Sequence, residues 1–244
     1  MGLAVRVIPV VLCRGRQLVK GQRFESWRSI GLAAQAVRIH QARGVDELVL
    51  LDINATQEKR GPDLDLVKEL SEICFMPLAV GGGVRDLYDA KDLFRAGADK
   101  VVIGTCGKQA IEDIAGKMGN QAVVASIDVR DGYVYVRSGT VNTKQPILDW
   151  ARVCEEAGAG EILLTSIERE GTGVGYDLDT IKAVSAVVTI PVIAHGGCGE
   201  YVHMRQAIAA GASAVAAGSF FQFTDATPRG AVEYLAKHNV EVRL

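Results

Sequence analysis

Two carboxylates and a histidine stand where apolar runs give way to loops, and such places are where a folded chain can do chemistry. Asp128 follows Val123-Val124-Ala125-Ser126-Ile127. A charge at the end of so apolar a run is costly unless it is used, so Asp128 is a candidate general acid or base. The competing reading is an aspartate that caps the next turn. Asp52 ends Leu48-Val49-Leu50-Leu51 in the same way, and His195 ends Val192-Ile193-Ala194. Histidine titrates near neutral pH and can carry protons, although a hydrogen-bonded structural place suits it equally. Glu170 lies in Glu168-Arg169-Glu170-Gly171-Thr172-Gly173, which reads either as a loop closing on a ligand through Gly171 or as a plain solvated connection.

Glycines placed just after strand-like runs point to anion binding, because they let backbone N–H groups approach an anion and a helix N-terminus adds its dipole. Gly82, Gly83, Gly104 and Thr105 form one such set; Gly196, Gly197, Gly218 and Ser219 form another. Two sets suit a ligand with a phosphate at each end. Lys20, in a long segment after the first strand, could reach one of them.

To hold these groups together, short β-branched runs alternate with helix-like segments, the pattern of a parallel sheet covered by helices. Strands are expected near 5–12, 47–53, 77–81, 99–104, 121–128, 160–165, 191–195 and 212–219. Leu64, Val67, Leu70 and Ile73 mark the apolar face of one covering helix. Eight such strands make a single (β/α)8 TIM barrel over residues 1–244, with ligand-contacting residues at the strands' C-terminal ends. The segments 13–31 and 129–145 are expected to be long loops at that end. Residues 47–105 match 161–219 at a constant offset of 114: Asp63-Leu64-Asp65 with Asp177-Leu178-Asp179, Gly82-Gly83 with Gly196-Gly197, Ala96-Gly97-Ala98 with Ala210-Gly211-Ala212. Two duplicated half-barrels, about 1–120 and 121–244, account for this better than two units solving one packing problem alike.

Composition narrows the partners. With 244 residues and 48% hydrophobic side chains the chain can bury one large core. Its 27 basic residues are balanced by 29 acidic ones, so neither nucleic acid nor an anionic membrane is an expected partner. A small molecule is. No apolar run is long enough to span a bilayer and no signal-peptide pattern opens the chain, which reads as soluble and cytoplasmic. The five cysteines are widely spaced without a CxxC pair, against both a disulfide framework and a zinc site. No metal and no cofactor is expected.

Longer motifs carry a resemblance. Arg6-Val7-Ile8-Pro9, Leu18-Val19-Lys20-Gly21, Asp46 through Ile53, Val80-Gly81-Gly82-Gly83, Gly97 through Val101, Gly160 through Ser166 and the terminal Val240-Glu241-Val242-Arg243-Leu244 resemble the cyclase subunit of imidazole glycerol phosphate synthase over essentially the whole chain. The resemblance implies that a separate glutaminase subunit releases ammonia into the bottom of the barrel, and that the ammonia meets a bis-phosphorylated sugar-like intermediate at the top. It implies a charged entrance ring of Arg6, Glu47, Lys100 and Glu161, with Asp99 facing the glutaminase. It also matches Gly82, Thr105, Gly196, Gly197 and Ser219 to phosphate positions, and retains Lys20, Asp52, Asp128 and Thr165. The departures fall on the chemistry. Leu12 stands in place of the first catalytic aspartate, Gly104 in place of an asparagine, Glu170 in place of an aspartate and His195 in place of a serine.

That combination resembles paralogues associated with sugar amidination in surface-polysaccharide synthesis, in which the barrel delivers ammonia to a phosphorylated or nucleotide-linked sugar. The alternative is a true cyclase of histidine biosynthesis, with Asp128 working alone or beside Glu170 or His195. A second alternative is a non-catalytic barrel that binds its ligand and thereby activates the glutaminase. The sister barrel that performs an Amadori rearrangement fits less well, since it needs paired carboxylates and no ammonia entrance.

Overall fold

The computed structural model describes residues 4–243. Residues 1–3 of the first expected half, and Leu244 of the terminal motif, lie outside the described residues. In chain order the strands and helices are β1 (Arg6–Arg14), β2 (Gln17–Gln22), β3 (Glu25–Leu32), α1 (Ala33–Ala42), β4 (Leu48–Asp52), α2 (Leu64–Ser71), β5 (Leu78–Gly81), α3 (Leu87–Ala96), β6 (Lys100–Ile103), α4 (Gly107–Met118), β7 (Val123–Arg130), β8 (Tyr133–Val136), β9 (Val141–Pro146), α5 (Ile147–Glu156), β10 (Glu161–Ser166), α6 (Leu178–Ser185), β11 (Val192–His195), α7 (Tyr201–Ala209), β12 (Ala214–Ala217), α8 (Ser219–Phe223) and α9 (Pro228–Lys237). Eight strands pair in parallel around a closed ring, β1-β4-β5-β6-β7-β10-β11-β12 and back to β1. The result is a (β/α)8 barrel, with each expected strand found within about two residues of its place.

β1 shows why the ring closes. Side chains on a strand alternate between faces. Ile8, Val10 and Leu12 point into the barrel and pack with Val49, Val124, Leu163 and Ile193, while Val7, Val11 and Cys13 face the helical layer. Burial on both faces demands the nearly unbroken apolar run that the sequence provides. Alanines line part of the interior, at Ala79, Ala214 and Ala216.

The 114-residue offset persists in the geometry. Asp63 accepts a hydrogen bond from the Leu66 N–H at the start of α2, and Asp177 accepts one from the Thr180 N–H at the start of α6. The backbone angles of the two caps agree within 3° (φ −82, ψ 88 against φ −79, ψ 86). Each satisfies an N–H that the first helical turn leaves without a partner.

The segments expected as long loops are instead antiparallel arms. β2 and β3 extend from β1 at the Cys13–Leu18 pairing, and β8 and β9 extend from β7 at the Asp128–Tyr135 pairing. Both arms contain register shifts and left-handed residues, Arg23, Phe24 and Ser26 in one and Arg137, Ser138 and Lys144 in the other. These interruptions break the simple alternation that would have marked them as strands. Among the described residues no helix is long and apolar enough to cross a membrane. All five cysteines are free thiols.

Candidate active site and basal charge ring

At the C-terminal end of the barrel lies a cavity lined from β1, β4, β7, β10 and β11. Strand register sets its chemistry. Thr165 on β10 pairs with Asp128 on β7 and with His195 on β11, so the three stand at one level on consecutive strands. Leu12 borders the same cavity from β1, 9% exposed. Thr165 Oγ1 and His195 Nδ1 are 3.1 Å apart. His195 Nε2 is buried without a hydrogen-bond partner, and the nearest carboxylate, Glu170 Oε2, lies 3.8 Å away. Burial, helped by the negative charge of Glu170, pushes the Asp128 carboxyl up to about 7. A carboxylic acid with its proton so poised can both give and take it near neutral pH.

The first glycine set borders this cavity through Gly82, Gly83, Gly104 and Thr105. Gly82 has φ +104, and a Cβ there would come within 2.3 Å of the Asp52 carbonyl oxygen. Only glycine lets the end of β5 lie so close to the end of β4. Lys20, Gly218, Ser219 and Glu170 line a smaller hollow beside the cavity rather than the cavity itself. The Lys20 ammonium also sits 4.2 Å from the centre of the Phe223 ring. Gly196 and Gly197 pack tightly on the segment after β10, where the Gly175 N–H donates to the Gly197 carbonyl at 2.7 Å. Gly171 is pressed against the β2–β3 arm, with room for no Cβ beside the Gly21 carbonyl.

Asp52 borders the cavity, but both its oxygens are taken. Arg60 Nη2 donates to one at 2.7 Å and the Asn54 N–H to the other at 3.1 Å. It anchors the turn that follows β4, which the sequence reading did not foresee. That reading also missed Phe24, Trp27 and Ser138, which the two arms bring over the cavity. Ser138 Oγ donates to the Ile53 carbonyl at 2.6 Å, and the Arg23 N–H donates to the Glu170 carbonyl at 2.8 Å. The two aromatic residues in an otherwise polar segment were the available signal.

At the opposite end four charges close a ring. Arg6 donates to Glu47 at 2.5 Å and to Glu161 at 2.7 Å, while Lys100 donates to Glu47 at 2.9 Å and to Glu161 at 3.0 Å. Both positive groups bridge both negative ones, so the ring is neutral and every carboxylate oxygen has a donor. Glu47 is almost wholly buried at 3% exposed. Asp99, outside the ring and exposed, accepts a hydrogen bond from the Leu78 N–H at 2.9 Å.

Titratable groups at the C-terminal mouth and a packed, charge-plugged base are the layout of a (β/α)8-barrel enzyme, whose chemistry sits at the C-terminal face. The family model described as "Histidine biosynthesis protein" matches residues 6–227. The chain is 43% identical to imidazole glycerol phosphate synthase subunit HisF of Pyrobaculum aerophilum, over the full length of both. It is 44% identical to the HisF subunit of Chlorobium phaeobacteroides strain BS1, over 99% of this chain and all of that one. With the HisF subunit of Thermotoga sp. strain RQ2 the identity is 43%, over 99% and 98% of the two chains. The chain therefore belongs to the HisF family of barrels, the cyclase subunits of imidazole glycerol phosphate synthase.

Proposed function

We propose that this chain is the ammonia-accepting barrel of a glutamine amidotransferase, with a separate glutaminase docked beneath the ring of Arg6, Glu47, Lys100 and Glu161. Ammonia passes when a contact in the ring opens, crosses the apolar interior and reaches a phosphorylated, sugar-like acceptor at the mouth. The observation that carries this reading is the closed, neutral ring at one end of an apolar barrel whose other end holds a carboxyl that burial pushes up to about 7. A small neutral molecule crosses such an interior far more readily than an ion. Gly82, Gly83, Gly104 and Thr105 are assigned to one phosphate of the acceptor. Lys20, Gly171, Gly196, Gly197, Gly218 and Ser219 are assigned to the other, and Asp99 to the partner's side of the base.

The names of the relatives favour the cyclase of histidine biosynthesis as the reaction, ahead of sugar amidination, and Asp128 would then be its acid/base. One observation favours the second reading, delivery of ammonia to a glycosyl acceptor in polysaccharide synthesis: Leu12 places an apolar side chain where the cyclase chemistry implied by the resemblance needs a carboxylate. The test is to purify the chain with the glutaminase encoded nearest to it, supply glutamine labelled with ¹⁵N at the amide, and offer the cyclase's ribulosyl substrate beside a panel of nucleotide-linked sugars. Label in imidazole glycerol phosphate establishes the cyclase, and label in an amidinated sugar establishes the second reading. Glutamine hydrolysis stimulated by a ligand with no labelled product would sink both and leave an activator.

A further inference from the structure

We infer that His195 is a second catalytic residue of the mouth, exchanging protons with the acceptor together with Asp128, and that Thr165 and Glu170 position it. This rests on the reading of the barrel as an ammonia-accepting enzyme. Of the titratable side chains that border the cavity, Asp52 has both oxygens engaged, which leaves Asp128 and His195. They flank Thr165 on consecutive strands, within reach of one small ligand. The second proton carrier that Leu12 removes from β1 is thus available two strands from Asp128 instead of across the barrel.

The histidine is held for that work. Thr165 Oγ1 faces Nδ1 at 3.1 Å and can accept the Nδ1 proton, which leaves Nε2 as the basic nitrogen. Nε2 is buried and without a hydrogen-bond partner, a state that calls for an explanation in a well-packed protein. Glu170 stands 3.8 Å from it, too far to hydrogen-bond a neutral ring but near enough to stabilise an imidazolium. Around Glu170 stand Lys20 from β2, which lines the same hollow, Asp128 from β7, and the buried Tyr176 and Cys198, and Arg169 packs against Gly197. Burial keeps Tyr176 and Cys198 protonated.

The step balances with groups present. Ammonia adds to the acceptor's carbonyl carbon, the carbonyl π pair moves to oxygen, and that oxygen takes the proton of the Asp128 carboxyl. The new ammonium nitrogen gives a proton to His195 Nε2. The imidazolium then returns its proton to the hydroxyl, which leaves as water, and the resulting iminium loses a proton to the Asp128 carboxylate. Carbonyl and ammonia become imine and water, and both side chains are restored.

Two measurements test this. The full chain has four histidines, so ¹⁵N spectra with ring-labelled histidine resolve His195 by its loss in His195→Asn. The neutral ring should carry its proton on Nδ1. An Nε2-protonated ring overturns the proposal. With ammonium salt and the ribulosyl substrate, His195→Asn should lower kcat by about 100-fold with KM changed by less than about threefold, and His195→Gly should recover turnover with added imidazole. Wild-type kcat in His195→Asn also overturns it. If the wild-type protein leaves that substrate unchanged, the cyclase reading fails, and the ring tautomer still decides the place of His195.

Discussion

Replacing Asp128 by asparagine should make the protein more stable at alkaline pH and no more stable in acid. An aspartate ordinarily loses its proton near 3.8, and in the folded barrel burial, then the Glu170 charge, moves this to about 7. Below pH 4 folded and unfolded chains both hold the proton, so Asp128 contributes no pH dependence. Between pH 4 and 7 the unfolded chain releases the proton while the folded one keeps it, so stability falls as pH rises; above 7 the loss is complete. Roughly three decades at about 1.4 kcal/mol each put the full cost at about 4 kcal/mol. The asparagine amide is neutral throughout and escapes this cost. For a chain of this size about 1 kcal/mol moves the melting temperature by about 2–4 °C, so Asp128→Asn should melt about 8–16 °C higher than wild type at pH 8.5 and within about 2 °C of it at pH 4. Thermal unfolding of both proteins across pH 4–9 measures the difference. A gap that stays constant with pH, or a variant less stable at pH 8.5, would refute the idea that Asp128 is held against its ionisation for the sake of proton transfer.

At the base, Glu47→Gln leaves Arg6 and Lys100 sharing Glu161 alone and should destabilise the fold by about 3 kcal/mol, seen as a melting point lower by about 6–12 °C. Because Glu47 itself is buried, most of that loss should persist at high salt; a loss that salt abolishes would mean that the ring behaves as a surface feature. Lys100→Ala should depress glutamine-dependent turnover while turnover on free ammonia persists, and equal loss of both would rule out passage through the ring. Leu12→Asp should make cyclase product detectable with ammonium salt if the acceptor pocket is otherwise that of the cyclase; no gain would favour a different acceptor.

The barrel strands were legible because β-branched runs buried on two faces leave a signature that needs no partner information. The helix caps at Asp63 and Asp177 were legible as a repeat. The arms were not, since Arg23, Phe24, Ser26, Arg137 and Ser138 adopt left-handed backbone that their side chains do not announce. Asp52 was visible as a strand-end carboxylate, but its capture by Arg60 depends on how the turn after β4 folds back, which composition does not encode. Glu170 and His195 were each singled out, yet their approach comes from the segment after β10 bending over β11. The charge ring came only through the resemblance, because its four members lie far apart in the chain and meet through barrel closure.

Closure of the main sheet has a consequence for how the protein behaves in a crowded solution. Within the described residues only β3 and β9 end the hydrogen-bonded network, and both belong to the arms at the mouth. An open strand edge invites a foreign strand to add to it. Here Glu25 and Arg28 guard one edge, and Lys144 and Pro146 guard the other, with charge or with a missing N–H. Any aggregate nucleated on these edges would start from the arms that also border the cavity, so loss of turnover should precede visible precipitation.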